Sequence, residues 1–163
     1  MPRMADTAHH FACTLHWTGA SRGPVRDYES YSRELRVDFD GKPSLEMSSA
    51  PAFKGDASRH NPEDLLVASL ASCHFLTYAA LCAKMGLVLV GYEDAAAGVM
   101  ERVERVTRFT RVVLHPKVTL ARGTAPEKLE LARTLHEKAH AGCFIASSVN
   151  FPVTHEATVV TEP

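Results

Sequence analysis

Cysteine is scarce in this chain. Its 163 residues hold four, with no Cys-x-x-Cys pair and no cluster of histidine and cysteine at zinc spacing. The usual sequence signs of a zinc module or a vicinal redox pair are therefore missing. A bias of charge is missing too: 18 basic residues stand against 19 acidic ones, for a net charge of −1, and neither sign is blocked. A nucleic-acid or membrane-surface partner has no electrostatic support in such a sequence. Repeats, linkers and low-complexity tracts are absent. The opening Met1-Pro2-Arg3-Met4-Ala5-Asp6-Thr7 lacks the long apolar core of a signal peptide. The expected address is the cytoplasm, where a dithiol is more often catalytic than structural. One long apolar run, Leu65 to Ala83, nearly reaches bilayer length, but Ser69, Ser72, His74 and Thr77 interrupt it and small residues fill its first half. It reads as a buried core helix rather than a membrane span.

What remains is ordinary for a globular protein: 45% hydrophobic and 23% charged residues. The length suits a single domain over residues 1–163, with 1–8 expected to be flexible. Phe11, Cys13, Leu15 and Trp17 alternate with polar neighbours as in a half-buried strand, in which Cys13 is a small core hydrophobe. Tyr28 to Phe39 is a second strand closed by Asp40-Gly41, and Leu45-Glu46-Met47 is a short third. Residues 48–60 form a loop. Asn61-Pro62-Glu63 opens a helix that Gly86 stops. Leu87 to Met100 reads as one strand. Val112, Leu114, Val118 and Leu120 keep a period of two through Pro116, which marks an edge or bulged strand. Thr124-Ala125-Pro126-Glu127 has the form of a capping box before a helix with Leu129, Ala132, Leu135 and Ala139 on one face. A last strand runs from Val153 to Val160. Strands on both sides of two helices define an α+β class with mostly antiparallel sheets.

Two thiols stand in the most functional-looking stretches. Cys73 lies in the apolar helix that follows Asn61-Pro62-Glu63, ten residues after the Glu, and Cys143 follows the second helix in Ala139-His140-Ala141-Gly142-Cys143-Phe144. This pattern, with the order of strands and helices, resembles the OsmC/Ohr family of thiol peroxidases over nearly the whole chain. The resemblance implies an OsmC-like fold, with sheets packed around a long central helix in an intertwined homodimer. It also implies reduction of organic hydroperoxides without a cofactor or metal. Cys73 would be the peroxidatic thiol and Cys143 the resolving one, with a lipoyl-type or other thiol as reductant. The family's first Cys is commonly followed by Phe and its second by Pro; here His74 and Phe144 follow.

A thiolate is the nucleophile towards peroxide oxygen, and burial in an apolar helix opposes its formation, so Cys73 needs a cationic neighbour. In the family an Arg held by the Asn-Pro-Glu glutamate meets that need. Glu63 matches the glutamate, although an acid at a helix start also has a purely structural reading through the macrodipole. Arg22, Arg26 and Arg33 are candidates for the arginine, and Arg33 stands closest to the family's spacing. His74 diverges from Cys73 around the helix and reads as a core or interface residue; Cys82 reads as packing.

Helix geometry adds a further expectation. At ~1.5 Å rise per residue, Glu63 and Cys73 lie about 15 Å apart along one continuous helix. Two antiparallel copies crossing near Ala68, with small Ala68, Ser69, Ala71 and Ser72 at the contact, would bring Glu63 of one copy beside Cys73 of the other in a two-fold dimer. Two other readings remain. One is a non-catalytic dimeric binding module for an apolar ligand in the interface pocket. The other is a hydrolytic enzyme with Cys73 as acyl-transfer nucleophile, for which no His/Asp partner arrangement is evident. Neither has a use for Cys143.

Overall fold

Three of the long strands legible in the sequence are bent at a shared set of corners in the computed structural model, which describes residues 8–163. The chain forms two compact units, one up to Leu65 and one over Leu66–Pro163. The flexible stretch expected over 1–8 lies outside the described residues except for Ala8.

In the first unit, β1 (Thr14–Trp17), β2 (Leu35–Asp38) and β3 (Leu45–Met47) form an antiparallel sheet in the order β1-β2-β3. Val37 and Met47 are its buried apolar residues. β2 is shorter than the run Tyr28 to Phe39, because Asp27 folds the chain back: its carboxylate accepts the backbone N–H groups of Glu29 and Ser30. Cys13 is exposed, against its expected inward orientation. Ser48 N–H donates to His60 O at 2.9 Å, closing the 48–60 loop. Arg59 braces that loop with ion pairs to Glu46 at 2.9 Å and Asp56 at 3.5 Å.

Helix α1 spans Pro62–Lys84. Asn61 Oδ1 accepts the Asp64 N–H at 2.9 Å, and Asp64 Oδ2 accepts the Asn61 N–H at 3.3 Å. This reciprocal cap uses the acid at the third helical position and Pro at the first. At the other end Gly86 adopts φ 65° and Leu87 N–H reaches back to Cys82 O at 2.9 Å, so the helix closes with a left-handed glycine. By length and composition α1 could cross a membrane. Its buried residues form one stripe at four-residue spacing, Leu70, His74, Tyr78 and Cys82, so the expected core helix is fully buried on one side only. Ala68, Ser72, Leu76 and Ala80 form an exposed stripe, with Leu76 66% exposed.

The second unit holds two three-stranded sheets. One has the order β4-β7-β9, from Leu89–Asp94, Pro116–Leu120 and Thr158–Thr161; the other has the order β5-β6-β8, from Ala97–Val103, Val106–Leu114 and Val153–His155. The pairs β4–β7 and β5–β6 are antiparallel, whereas β6–β8 and β7–β9 are parallel. The single strand expected from Leu87 to Met100 is therefore two, β4 and β5, in different sheets. The run through Pro116 divides into β6 and β7, and Val153 to Val160 into β8 and β9. Asp94 Oδ1 accepts the His115 N–H at 2.8 Å, and Glu156 N–H donates to Leu114 O at 2.9 Å, so polar bonds stitch the corners together. Pro116 is neither at an edge nor at a bulge. It begins the central strand β7, a position where the missing N–H is tolerated.

Helix α2 (Pro126–Ala141) buries Ala132, Leu135, His136 and Ala139. The expected capping box does not form: Thr124 Oγ1 donates to Ala121 O at 2.6 Å, and Ala125 takes the cap position before Pro126. Tyr78 and Cys82 of α1 pack with Val118, Leu120, Ala132, Leu135 and Val159, while Leu70 packs with Val112, Leu114 and Val153.

Candidate active site

Two free thiols meet where α2 ends. α1 places Cys73 half-buried; α2 is followed by Gly142 and Cys143, whose buried thiol lies beside that of Cys73. Gly142 permits this approach: a Cβ there would sit 3.3 Å from the Thr77 methyl of α1 and 3.3 Å from Lys138 O. A turn after Cys143 fixes the sulfur, with Ala146 N–H donating to Sγ at 3.4 Å and Ser147 N–H donating to Cys143 O at 3.0 Å. Burial pushes the Cys143 thiol up from its ordinary value. The neighbouring Cys73 thiol acts in the same direction, and the Ala146 N–H opposes them. Such a pair can exchange between dithiol and disulfide, with Cys143 kept protonated until it reacts. Phe144, which stands where the family commonly has Pro, is 83% exposed. Cys82 is buried among the core residues, as expected of packing.

Glu63 and Arg33 belong to a different place, a pocket of ≈ 380 Å³ in the first unit, whose walls also include Trp17, Tyr31 and Ser48. The reciprocal Asn61–Asp64 cap fills the structural role open to an acid at this helix start. Glu63 is left with a buried Oε2 that has no hydrogen-bond partner among the described residues. Arg33 is held by its own strand approach: Nη1 donates to Tyr31 O at 2.7 Å, Nη2 donates to Tyr28 O, and the guanidinium lies 3.9 Å from the Tyr31 ring centroid. Among the described residues no ion pair joins Arg33 to Glu63. Of the other two arginines, Arg22 pairs with Glu34 at 2.8 Å and Arg26 is exposed outside the pocket walls.

Sequence reasoning missed His136 and His155. His74 Nε2 lies 3.0 Å from His136 Nδ1 with both rings fully buried, and the His155 ring centroid is 5.5 Å from that of His74. A histidine among the apolar positions of α2, one residue after Leu135, was the available signal.

The OsmC-like protein family matches residues 55–158, and the chain belongs to that family. It is 26% identical over 158 residues to the uncharacterised protein YmaD of Bacillus subtilis, covering 96% of this chain and 97% of that one. An OsmC-like protein of unknown function from Vibrio cholerae has a similar structure, with a TM-score of 0.84, 29% identity, and 93% of this chain and 100% of that one covered. An organic hydroperoxide resistance protein from Elizabethkingia anophelis shares the fold at a TM-score of 0.68 and 18% identity, over 96% of this chain and 99% of that one.

Proposed function

We propose that this protein is a cysteine-based thiol peroxidase that reduces organic hydroperoxides to alcohols. The observation that carries the reading is the closeness of two reduced thiols, Cys73 on α1 and Cys143 just after α2. The Cys73 thiolate attacks the distal peroxide oxygen; an S–O bond forms, the O–O bond breaks, and the alkoxide takes a proton to leave as an alcohol. Cys73 is now a sulfenic acid. The Cys143 sulfur attacks it, water leaves, and a Cys73–Cys143 disulfide remains. A lipoyl-type dithiol, or another thiol of the reducing cytoplasm, restores the pair.

The thiolate-supporting charge comes, in this reading, from a second copy of the chain. Glu63 and Cys73 are ten residues apart on an unbroken helix, about 15 Å along its axis. The exposed stripe through Ala68, Ser72 and Leu76 is a suitable contact for an antiparallel copy of α1, which would carry its own Glu63 and Arg33 towards Cys73. A homodimer with two shared sites follows.

One equivalent of an alkyl hydroperoxide should convert the reduced protein to a Cys73–Cys143 disulfide, read by peptide mass mapping under non-reducing conditions. The Cys73→Ser protein should consume no peroxide. Undiminished turnover in that variant would sink the proposal, and no disulfide in the wild type would sink it in favour of a ligand-binding role.

A further inference from the structure

The helices that bring the thiols together are also joined by a buried pair of histidines. His74 follows Cys73 on α1, and His136 lies seven residues before Cys143 on α2. Their rings are parallel to within 6° with centroids 5.3 Å apart, and Nε2 of one faces Nδ1 of the other at 3.0 Å. That spacing is the length of a hydrogen bond between the two rings. Tyr78 stacks on His136 at 4.0 Å and is itself tied to α2 by its hydroxyl, which donates to Ala132 O at 3.1 Å.

Two neutral imidazoles satisfy this bond, one ring donating N–H and the other accepting. Their outward nitrogens, His74 Nδ1 and His136 Nε2, are buried without a partner among the described residues. A third proton would charge a ring that has no acid beside it. The groups facing the pair are Tyr78 on α1, His140 on α2 and His155 on β8. A carboxylate stands one ring further out: Glu137, largely exposed, 3.4 Å from His155 Nε2. His115 and Glu156, beyond the end of β8, pair with each other at 3.4 Å.

We propose that the His74–His136 pair is an acid-sensitive latch that positions Cys143 against Cys73: neutral, it fastens the end of α2 to α1, and protonated, it releases the Cys143 segment. The two histidines act as positioning residues, through the thiols they hold. Burial, reinforced by the neighbouring histidines, presses His74 down to about 4 and His136 down to about 3. The closed form thus refuses a proton that an opened histidine accepts below about 6.5. Between those values each unit of falling pH favours opening about tenfold for one proton taken up. The consequence for turnover rests on the peroxidase reading: in acid the Cys73 sulfenic acid would form but find no resolving thiol.

The test needs no peroxide. The reduced full-length protein is treated with 4,4′-dithiodipyridine between pH 7 and pH 5, and labelling of each cysteine is followed by peptide mass mapping. Exposed Cys13 serves as the internal reference for intrinsic thiol reactivity, and buried Cys82 reports global unfolding. The Cys143-to-Cys13 labelling ratio should rise about fivefold from pH 6.5 to pH 5.5, well ahead of Cys82. In the His74→Phe/His136→Leu protein the ratio should vary less than about twofold over that range. A flat ratio in the wild type, or Cys82 labelling in step with Cys143, would overturn the latch. Either result leaves the peroxide experiment untouched, and a failure of peroxide reduction leaves this one standing.

Discussion

A complementation experiment tests whether the active site is shared between chains. Cys73→Ser removes the nucleophile from one protein, and Glu63→Ala removes the pocket carboxylate from another; each should be nearly inactive alone. Because α1 is continuous from Pro62 to Lys84, the two side chains stay about 15 Å apart along a single helix, and no rotamer closes that gap. Equal amounts of the two proteins, allowed to exchange subunits at random, give roughly half heterodimers. Each heterodimer has one site with both Cys73 and Glu63 intact and one with neither, so about a quarter of wild-type activity per site should return. The assay is consumption of an alkyl hydroperoxide with a lipoyl dithiol as reductant, and native mass spectrometry confirms exchange. Full exchange without recovered activity would mean that Glu63 serves Cys73 within its own chain, through a broken helix, or that it serves no chemistry.

Other outcomes follow from the same contacts. In Cys143→Ser, one round of peroxide reduction should survive while Cys73 stalls as a sulfenic acid; mass spectrometry should show its gain of oxygen and over-oxidation in excess peroxide. Gly55→Ala would place a Cβ 1.5 Å from the Ser49 carbonyl oxygen, which belongs to the Glu63 pocket wall; the loop must open, with an expected cost of about 2–4 kcal/mol in urea unfolding. Stability should also fall in mild acid. His74 and His136 are depressed in the native state, so their contribution is complete above about pH 6.5 and is lost as pH falls towards about 4 and about 3. The slope is about 1.4 kcal/mol per pH unit for each imidazole, and a urea midpoint constant from pH 7 to pH 5 would contradict it.

The sequence carried the element order and the helix ends well, because capping and stop signals are local. Asn61, Pro62 and Gly86 mark the bounds of α1 without help from the rest of the chain. The strands were legible as apolar alternation, but their corners were not. Alternation continues across Ala95–Ala96, His115 and Glu156–Ala157, and only the Asp94 carboxylate on the His115 N–H discloses that the chain changes sheets there. At the candidate site the spacing of Glu63 and Cys73 and the second thiol were readable. The reciprocal partner of Asn61 was not, since Asp64 and Glu63 are adjacent acids with equal claims. Nor was the histidine pair, whose members lie 62 residues apart and meet only through the packing of α1 on α2.

The aligned corners also determine where this chain tolerates a change of length. One residue inserted within β6 would turn the rest of that strand over, sending Val112 and Leu114 outward and their polar neighbours into the core. The same insertion at His115 would meet a different rule. β6 keeps its pairing with β5 and β8, and β7 keeps its own with β4 and β9, so the corner would absorb the extra residue while both ladders stay in phase. Each corner thus works as a phase break, separating errors in one sheet from the other and leaving the turns between them as the natural sites for length variation.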